Sequence, residues 1–254
     1  MRPVQWFFDN LLPEDRMRTA IAAKAKIAEA DAFALLEYMG AESAGSLVLL
    51  PPSEGMPTEE GYRLLSDEEL DQRIKDMPRV PIASTGPKRM SLAGAQHKLL
   101  VNWDGTQLWE PLGLTPSTHI LKPEHLSNDY AHSVINEWFV MTLAKRLGLN
   151  VPQVTRLYVP QPVYLIERFD RLPEQPDWRR LHCIDACQLT GLSREFKYSA
   201  GSVSRLNAIT RLCVPPVKAR EALFKWLVFN VLVGNEDAHL KNLSFLVGRK
   251  GVAL

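Results

Sequence analysis

The sequence predicts an α+β fold in which a helical N-terminal region precedes a group of strands and a second helical region follows them. Two patterns predict this order: apolar residues recur at helical spacing through residues 1–50, and short strand-like runs separated by turn residues begin at residue 89. With 254 residues, 46% of them hydrophobic, the chain is long enough for one large core or two unequal domains. We divide it into a helical subdomain with a linker (1–88), a β/α region (89–170) and a mainly helical region (171–254).

Composition limits the classes of function. The formal net charge of +1 argues against a dedicated nucleic-acid surface, because phosphate binding normally requires a basic excess. Cys183, Cys187 and Cys213 have no paired metal spacing and are expected to be small buried residues in a reducing cytosol. No apolar run approaches the roughly 18 residues of a membrane span, and the N-terminus lacks a signal pattern. We therefore expect a soluble, cytoplasmic protein.

The first 50 residues are predicted to be mostly helical. Pro13-Glu14 begins a helix expected to continue through the alanine-rich stretch 19–30, and Asp31 is expected to cap a second helix that ends at Gly40. The apolar stripe of that second helix, predicted to face the core, comprises Phe33, Leu35, Leu36 and Met39. A short strand is predicted at 48–50, and residues 51–88 are interpreted as a connection with one helix, Asp67 to Lys75.

A glycine- and alanine-containing loop precedes the first strands, which are predicted at 99–101 and 107–109. The small residues Ala93, Gly94 and Ala95 allow the backbone to approach a ligand closely, and Lys98 and the loop amides are placed to face phosphates. An ordinary strand-entry turn is the alternative.

A lysine at the end of a strand and a glutamate early in the next helix form a second pattern. Lys122 ends the predicted strand 118–122, and Glu137 lies in the first half of a helix predicted from about His132 to Leu147. Protein kinases use such a lysine to hold the α- and β-phosphates of ATP and such a glutamate to orient it. A hairpin (154–158 and 163–166) then leads into the charged segment 167–171, placed where a kinase hinge meets adenine; solvated surface charge is the alternative.

The strongest chemical pattern lies near the C-terminus. Helices are predicted at 181–192, 206–212 and 218–233, and the last of these is expected to lie deep in a lobe because its second half is nearly all apolar. Between this helix and a strand predicted at 243–247, Asp237 and Asn242 stand five positions apart. Kinase catalytic loops have this spacing: the aspartate is the base for the attacking hydroxyl, and the asparagine binds magnesium.

Together these residues resemble the HipA-type serine/threonine kinases, the toxin partners of bacterial toxin–antitoxin pairs. The resemblance extends over nearly the whole chain and is carried by six ordered blocks, at 7–14, 91–98, 117–122, 136–137 with 147–152, 167–171 and 235–242. It implies a protein-kinase-like two-lobe fold that binds ATP and Mg²⁺. It also implies a helix-turn-helix antitoxin (HipB-like) as partner, so that the toxin meets DNA only indirectly, through the antitoxin. The implied substrate is an aminoacyl-tRNA synthetase, typically the glutamyl enzyme.

The resemblance assigns roles only to matching positions. Asp237 corresponds to the catalytic base, Lys122 to the phosphate lysine, and Ser91 to a serine that such kinases phosphorylate in themselves to silence the enzyme. Nucleotide contacts are implied for Ala93, Gly94, Ala95, Gln96, His97 and Lys98 in the phosphate loop, for Glu167, Arg168 and Phe169 in the hinge, and for His239, Leu240, Lys241 and Asn242 after the base. Asn242 is the implied metal ligand.

Two departures from the family pattern leave a second hypothesis open. The N-terminal β-rich segment of the family is expected ahead of Met1, and a further magnesium-binding aspartate and a C-terminal helical region are expected beyond Leu254, so the C-terminal lobe is expected to be truncated. A non-catalytic binding module that retains nucleotide or antitoxin binding is therefore the alternative to an active kinase. A metal hydrolase built on Asp237 and His239 is a weaker third hypothesis, because no third ligand is evident.

Overall fold

Three short helices form the N-terminal subdomain. The computed structural model describes residues 3–51, 57, 59–85, 90–94, 96–174 and 177–254, and it begins with helices α1 (Pro3–Asp9), α2 (Asp15–Ala25) and α3 (Ala32–Met39). Asp31 caps α3 as predicted, since its Oδ1 accepts a hydrogen bond from the Ala34 amide at 3.0 Å. The core shared by the three helices includes Leu11, Leu12, Met17, Ile21, Leu35, Leu36 and Met39.

Three predictions for this subdomain were wrong. Helix α2 stops at Ala25 because Lys26 adopts a left-handed conformation (φ 57°), so it does not reach residue 30. Phe33 is 77% exposed rather than part of the core-facing stripe, and residues 48–50 do not form a strand. A three-residue apolar run carries too little periodicity to distinguish a strand from an extended loop.

A six-stranded sheet forms the centre of the molecule. Its strands are β1 (Gly61–Leu65), β2 (Leu99–Trp103), β3 (Leu108–Leu112), β4 (His119–Pro123), β5 (Val154–Tyr158) and β6 (Pro162–Glu167), with helix α4 (Asp67–Asp76) after β1. The spatial order is β1-β3-β2-β4-β6-β5, and every neighbouring pair is antiparallel. β1 was not predicted, yet it pairs with β3 over five residues, so 61–76 belong to the sheet layer rather than to a simple connection. Residues 86–89, where the first predicted boundary falls, lie outside the described residues.

Helix α5 (Ser133–Arg146) follows β4 and contacts β5 and β6. Gly148, with φ +78°, ends it as a C-cap glycine should: the Gly148 and Leu149 amides turn back to the carbonyls of Lys145 and Ala144. This helix and the hairpin β5–β6 confirm the elements predicted there.

The C-terminal region combines short strands and helices. It contains β7 (Arg171–Glu174), β8 (Asp177–Arg180), β9 (Cys183–Asp185), α6 (Ala186–Leu189), α7 (Val203–Thr210), α8 (Pro216–Leu232), β10 (Ser244–Gly248) and β11 (Gly251–Ala253). Strand β9 pairs with β10, so the single helix predicted at 181–192 is instead a strand followed by one helical turn. Cys183, Cys187 and Cys213 are buried and free, as expected.

Helix α8 is much less buried than predicted. Phe224, Val231 and Leu232 are 66%, 73% and 78% exposed, whereas Ala219 and Leu223 pack against α7 and the C-terminal strands and Phe229 is buried. Within the described part of the chain no element covers the outer face. The prediction that this helix lies deep in a lobe was therefore wrong for one of its two faces.

Among the described residues, no helix combines the length and apolar character that crossing a membrane requires.

Candidate functional site

A cleft of about 1100 Å³ lies between the six-stranded sheet and the C-terminal region. Eight of the residues predicted to bind nucleotide line it: Ala93, Lys98, Lys122, Glu167, Arg168, Phe169, Lys241 and Asn242. Gly94 and Gln96 line a small separate pocket beside Met17 and Met90. Asp237, His97, His239 and Leu240 lie outside the cleft wall, and Ala95 lies outside the described residues. The structure thus brings eight of the fourteen predicted nucleotide contacts together around one cavity.

The loop before β2 approaches the N-terminal subdomain through Gly94. This residue has φ +109°, a conformation that favours glycine, and its carbonyl accepts a hydrogen bond from the Glu14 amide at 3.3 Å. Any Cβ at position 94 would lie 2.8 Å from Lys98 Nζ. The glycine therefore allows the Lys98 side chain to fold back across the loop, where its ammonium donates to the Ala93 carbonyl.

Lys98 has an unusual protonation equilibrium. Burial, reinforced by the nearby Lys122 ammonium, lowers the pKa of Lys98 to about 7. An anion placed in the cleft would favour its charged form. Burial also lowers the pKa of His97, whose Nδ1 has no hydrogen-bond partner among the described residues.

The predicted pairing of a strand lysine with a helix glutamate is present. Lys122 Nζ on β4 donates to Glu137 Oε2 on α5 at 2.7 Å, and it lies 5.7 Å from the centre of the Tyr164 ring. The two charged side chains are 25% and 30% exposed. Because an ammonium has three N–H donors and one of them reaches Glu137, Lys122 keeps donor capacity for a ligand in the cleft.

The predicted hinge is held by a buried charge network. All five N–H donors of Arg168 are used: Nε and Nη2 bond to Asp170, Nη2 also to the Ser43 carbonyl, and Nη1 to Glu42 and Ser117. Arg171 and Arg180 bond to the same Glu42 carboxylate, which is 1% exposed. The alternative of a solvated charged segment is therefore wrong for Arg168, Asp170 and Arg171.

This network leaves only part of the hinge for ligand contacts. The amides of Glu167 and Arg168 already donate to the carbonyls of Gln153 and Thr118, at 2.9 and 2.8 Å. A nucleobase in the cleft would meet the hinge carbonyls, the half-exposed Phe169 and the apolar side chains of Ile120 and Ile166.

The Asp237 loop follows α8 through Gly234, whose φ is +66°. Asn235 organises its first turn, since Asn235 Nδ2 donates to Asn230 Oδ1 at 2.6 Å and Asn235 Oδ1 accepts from the Asp237 amide at 3.1 Å. Asn242 Nδ2 donates to the Asp237 carbonyl, which ties the two predicted catalytic positions together, and Asn242 also lines the cleft. The five-residue spacing thus corresponds to a closed loop.

The Asp237 carboxylate is 68% exposed. Its Oδ1 accepts a hydrogen bond from the Tyr198 hydroxyl at 2.6 Å and lies 3.5 Å from His239 Nε2. Burial lowers the pKa of His239, so near neutral pH the imidazole is uncharged and does not form an ion pair with Asp237. An exposed carboxylate with an accessible second oxygen is suited to accept a proton from an incoming hydroxyl.

Lys241 has a different environment from the other lysines of the cleft. Its side chain is 3% exposed, and Nζ donates to the Asn10 carbonyl at 2.7 Å, to Asn10 Oδ1 at 3.0 Å and to Asp185 Oδ2 at 2.7 Å. These three acceptors use all three ammonium donors. In this arrangement Lys241 joins the Asp237 loop to the N-terminal segment and to β9.

Ser91, the predicted autophosphorylation site, is fully buried. Its hydroxyl donates to the Leu11 carbonyl at 2.8 Å, and its amide donates to the Glu42 carbonyl at 2.7 Å. For its hydroxyl to reach the Asp237 carboxylate, the loop would have to leave this position.

Four residues that matter here were not predicted as site residues: Asn10, Glu14, Asp185 and Tyr198. Asn10 and Glu14 fall inside the first block of the family resemblance, and Asp185 falls inside the helix predicted at 181–192. Glu14 pairs with Lys197 at 2.5 Å and lies 3.7 Å from Lys241. Tyr198 lies in a polar stretch, where no periodicity or motif marks it.

Comparison with known proteins agrees with this geometry. Residues 90–254 match the family of HipA-like C-terminal domains, and residues 1–50 match the HipA N-terminal domain. A serine/threonine-protein kinase toxin HipA of Shewanella oneidensis is 34% identical across 98% of the chain, and a putative kinase of Sinorhizobium fredii is 36% identical across 96% of it. The chain spans 60% and 61% of these relatives' lengths.

A solved structure shares the fold. The HipA chain in a complex of HipA, HipB and operator DNA from Shewanella oneidensis MR-1 superposes with a TM-score of 0.83 at 33% identity, covering 99% of this chain and 62% of that one. The kinase-like α+β architecture predicted from the sequence is therefore confirmed. With family matches over both its N-terminal helices and its sheet, cleft and Asp237 loop, the chain belongs to the HipA family.

Proposed function

We propose that this chain forms the nucleotide-binding cleft and catalytic loop of an ATP-dependent serine/threonine protein kinase of the HipA toxin type. One observation carries the proposal: Lys122, which is paired with Glu137, and Asn242, which is bonded to Asp237, line the same cleft. A phosphate-holding lysine and a base-bearing loop must meet at one cavity for phosphoryl transfer.

The cleft suits a nucleotide. Its volume of about 1100 Å³ is at the upper end of the usual range for small-molecule sites. Lys98 and Lys122 supply cationic donors on its walls, and Ile120, Ile166 and Phe169 supply an apolar surface for a nucleobase. A lining that combines cationic and apolar side chains suits a ligand that has both phosphates and an aromatic base.

Asn242 also suits a role in metal binding. Its Oδ1 is a neutral oxygen acceptor of the kind that Mg²⁺ takes, and Mg²⁺ is usually held by one or two protein ligands together with substrate phosphates. Over the described ranges, no group of three or more His, Cys, Asp or Glu side chains forms a dedicated metal cage. When bound, ATP supplies the γ-phosphoryl group, and Mg²⁺ neutralises phosphate charge.

The residues of the chain then have distinct tasks. Lys122, oriented by Glu137, holds the phosphates, and Lys98 adds a second positive charge. Asp237 accepts the proton of the acceptor hydroxyl. Lys241 keeps the loop in place by its bonds to Asn10 and Asp185.

The remaining proposals concern targets and control. We infer that the acceptor is an aminoacyl-tRNA synthetase such as the glutamyl enzyme, that Ser91 is autophosphorylated to inactivate the kinase, and that the natural partner is a HipB-like helix-turn-helix antitoxin. The presence of HipB beside the HipA chain in the related complex supports the last proposal. A phosphate on Ser91 would add close to two negative charges at a fully buried position, which gives the loop a physical reason to leave the site.

The test measures nucleotide binding and ³²P transfer from ATP, both to the chain itself and to a purified glutamyl-tRNA synthetase. We expect Asp237→Asn to lower transfer by about 10²- to 10⁴-fold while nucleotide binding is retained. Glu236→Gln, which changes an exposed neighbouring carboxylate in the same loop, should leave transfer unchanged. A wild-type chain that binds nucleotide and transfers nothing would favour the non-catalytic binding module.

A further inference from the structure

Tyr198 lies against the Asp237 loop at several points. Its hydroxyl donates to Asp237 Oδ1 at 2.6 Å, and its ring packs edge-on against the His239 imidazole, with centres 4.9 Å apart and planes at 88°. The neighbouring Lys197 carbonyl accepts the Leu240 amide at 3.1 Å. The Tyr198 segment is thus bonded to the loop at the base itself and at Leu240, three residues after it.

Asp237 depends on this contact for its side-chain orientation. Asn235 and Asn242 bond only to its backbone, so they leave the side-chain torsions free. Within the described ranges, Tyr198 is the residue whose hydrogen bond reaches the carboxylate, since the uncharged His239 is 3.5 Å away. Without Tyr198, a carboxylate that is 68% exposed would sample several rotamers in water.

We propose that Tyr198 is a positioning residue for phosphoryl transfer: its hydroxyl holds Asp237 Oδ1 and leaves Oδ2 to face the acceptor hydroxyl. This inference rests on the proposed function. In the step it serves, the acceptor oxygen bonds to the γ-phosphorus, the bond from that phosphorus to the leaving oxygen of ADP breaks, and the hydroxyl proton passes to Asp237 Oδ2. A base held in one rotamer has the fixed geometry that such a transfer requires.

The first test examines the contact without any catalysis. The hydrogen bond to Asp237 and partial burial raise the pKa of Tyr198 to about 12. Ultraviolet titration of wild type and Tyr198→Phe should therefore differ by one tyrosine that ionises near that pH. In Asp237→Asn the same tyrosine should ionise at lower pH, because the carboxylate that disfavours the phenolate is gone. A Tyr198 that titrates normally in the wild type would overturn the inference.

The second test separates positioning from packing. Tyr198→Phe keeps the ring against His239 and removes only the hydroxyl, so we expect kcat to fall about tenfold with little change in KM for ATP. Tyr130→Phe is the matched control, because Tyr130 is also an exposed ring packed edge-on to a histidine, His125, at 4.6 Å. It should leave kcat unchanged.

Other outcomes have distinct meanings. An unchanged kcat in Tyr198→Phe would overturn the inference and reduce Tyr198 to a packing role. An increased kcat would also overturn it, because Tyr198 would then be blocking the acceptor position. A wild-type chain without transfer would refute the proposed function instead, and the titration would still decide whether Tyr198 holds the carboxylate.

Discussion

The two sides of the cleft hold their charged side chains in different ways. On the hinge side, Glu42 is 1% exposed and is bonded by Arg168, Arg171 and Arg180. On the phosphate side, Lys122 is 25% exposed and has one carboxylate partner, Glu137. A charge whose hydrogen-bonding capacity is filled by protein stabilises the scaffold, whereas a charge with spare donors is available to a ligand.

Lys241 shows that position in a motif does not decide which class a residue belongs to. It lies one residue before Asn242 in the catalytic loop, yet its three donors are all taken by Asn10 and Asp185. Lys98, at the end of the loop before β2, donates to one carbonyl, that of Ala93. Lys98 and Lys122 therefore keep donors for the ligand proposed above, whereas Lys241, like Glu42, belongs to the scaffold.

The largest effect is expected at Glu42. Glu42→Gln removes one negative charge from a buried network and leaves Arg168 and Arg171 under-compensated, so the free energy of unfolding should fall by about 3–5 kcal/mol. Urea denaturation measures this change. Glu174→Gln, which breaks an exposed pair with Arg179, should change it by less than about 1 kcal/mol. A loss below about 1 kcal/mol at Glu42 would mean that the network does not hold the hinge.

Lys241→Met should give the next largest loss of stability, about 3 kcal/mol, because it leaves the Asp185 carboxylate without its cation in a mostly buried position. The same urea experiment applies, with Lys225→Met as a control at an exposed helical pair with Glu221. If Lys241→Met were as stable as the wild type but bound nucleotide weakly, Lys241 would have to be moved to the ligand-binding class.

Local sequence patterns were sufficient to predict the Lys122–Glu137 pair on one side of the cleft. Lys122 and Glu137 were predictable because each sits at a defined place in its own element, at the end of a strand and early in a helix. The strand order then brought them within 2.7 Å. Asp31 as a helix cap was equally local, since the bond spans three residues.

The scaffold contacts of Glu42 and Lys241 join residues far apart in the chain, and sequence spacing does not show such contacts. Glu42 and Arg168 are 126 residues apart, and Lys241 and Asn10 are 231 apart. Strand β1 was missed because it has only five residues, too few for periodicity to identify a strand inside a polar stretch. For α8, an apolar sequence indicated burial, but burial also requires a partner on each face.

Lys122→Met is expected to change ligand binding more than stability. The loss of one cationic donor should raise the Kd for ATP about tenfold, or about 1.4 kcal/mol. The free energy of unfolding should change by less than about 1 kcal/mol, because the pair with Glu137 is partly exposed. Isothermal titration calorimetry gives the first quantity and urea denaturation the second. Lys145→Met, at an exposed position in the last turn of α5, is the control for general charge effects.

The smallest effect, and the one most specific to the phosphate side, is a pH dependence from Lys98. Its pKa in the folded chain, about 7, is lower than the usual value for lysine, so the ammonium loses its proton as the pH rises through 7. ATP binds the charged form better, so affinity should fall a few-fold between pH 6 and pH 8, with proton uptake on binding near neutral pH.

Stability should respond to Lys98 with the opposite sign. Between pH 7 and the ordinary lysine pKa of about 10.4, the unfolded chain binds more protons at this position than the folded chain does. The free energy of unfolding therefore gains a favourable contribution from Lys98 as the pH rises through that window. Lys98→Arg keeps its charge over the whole range, so it should remove the pH dependence of ATP affinity and that of the free energy of unfolding. Calorimetry in two buffers of different ionisation enthalpy detects the proton uptake, and equal uptake in wild type and Lys98→Arg would assign it to another group.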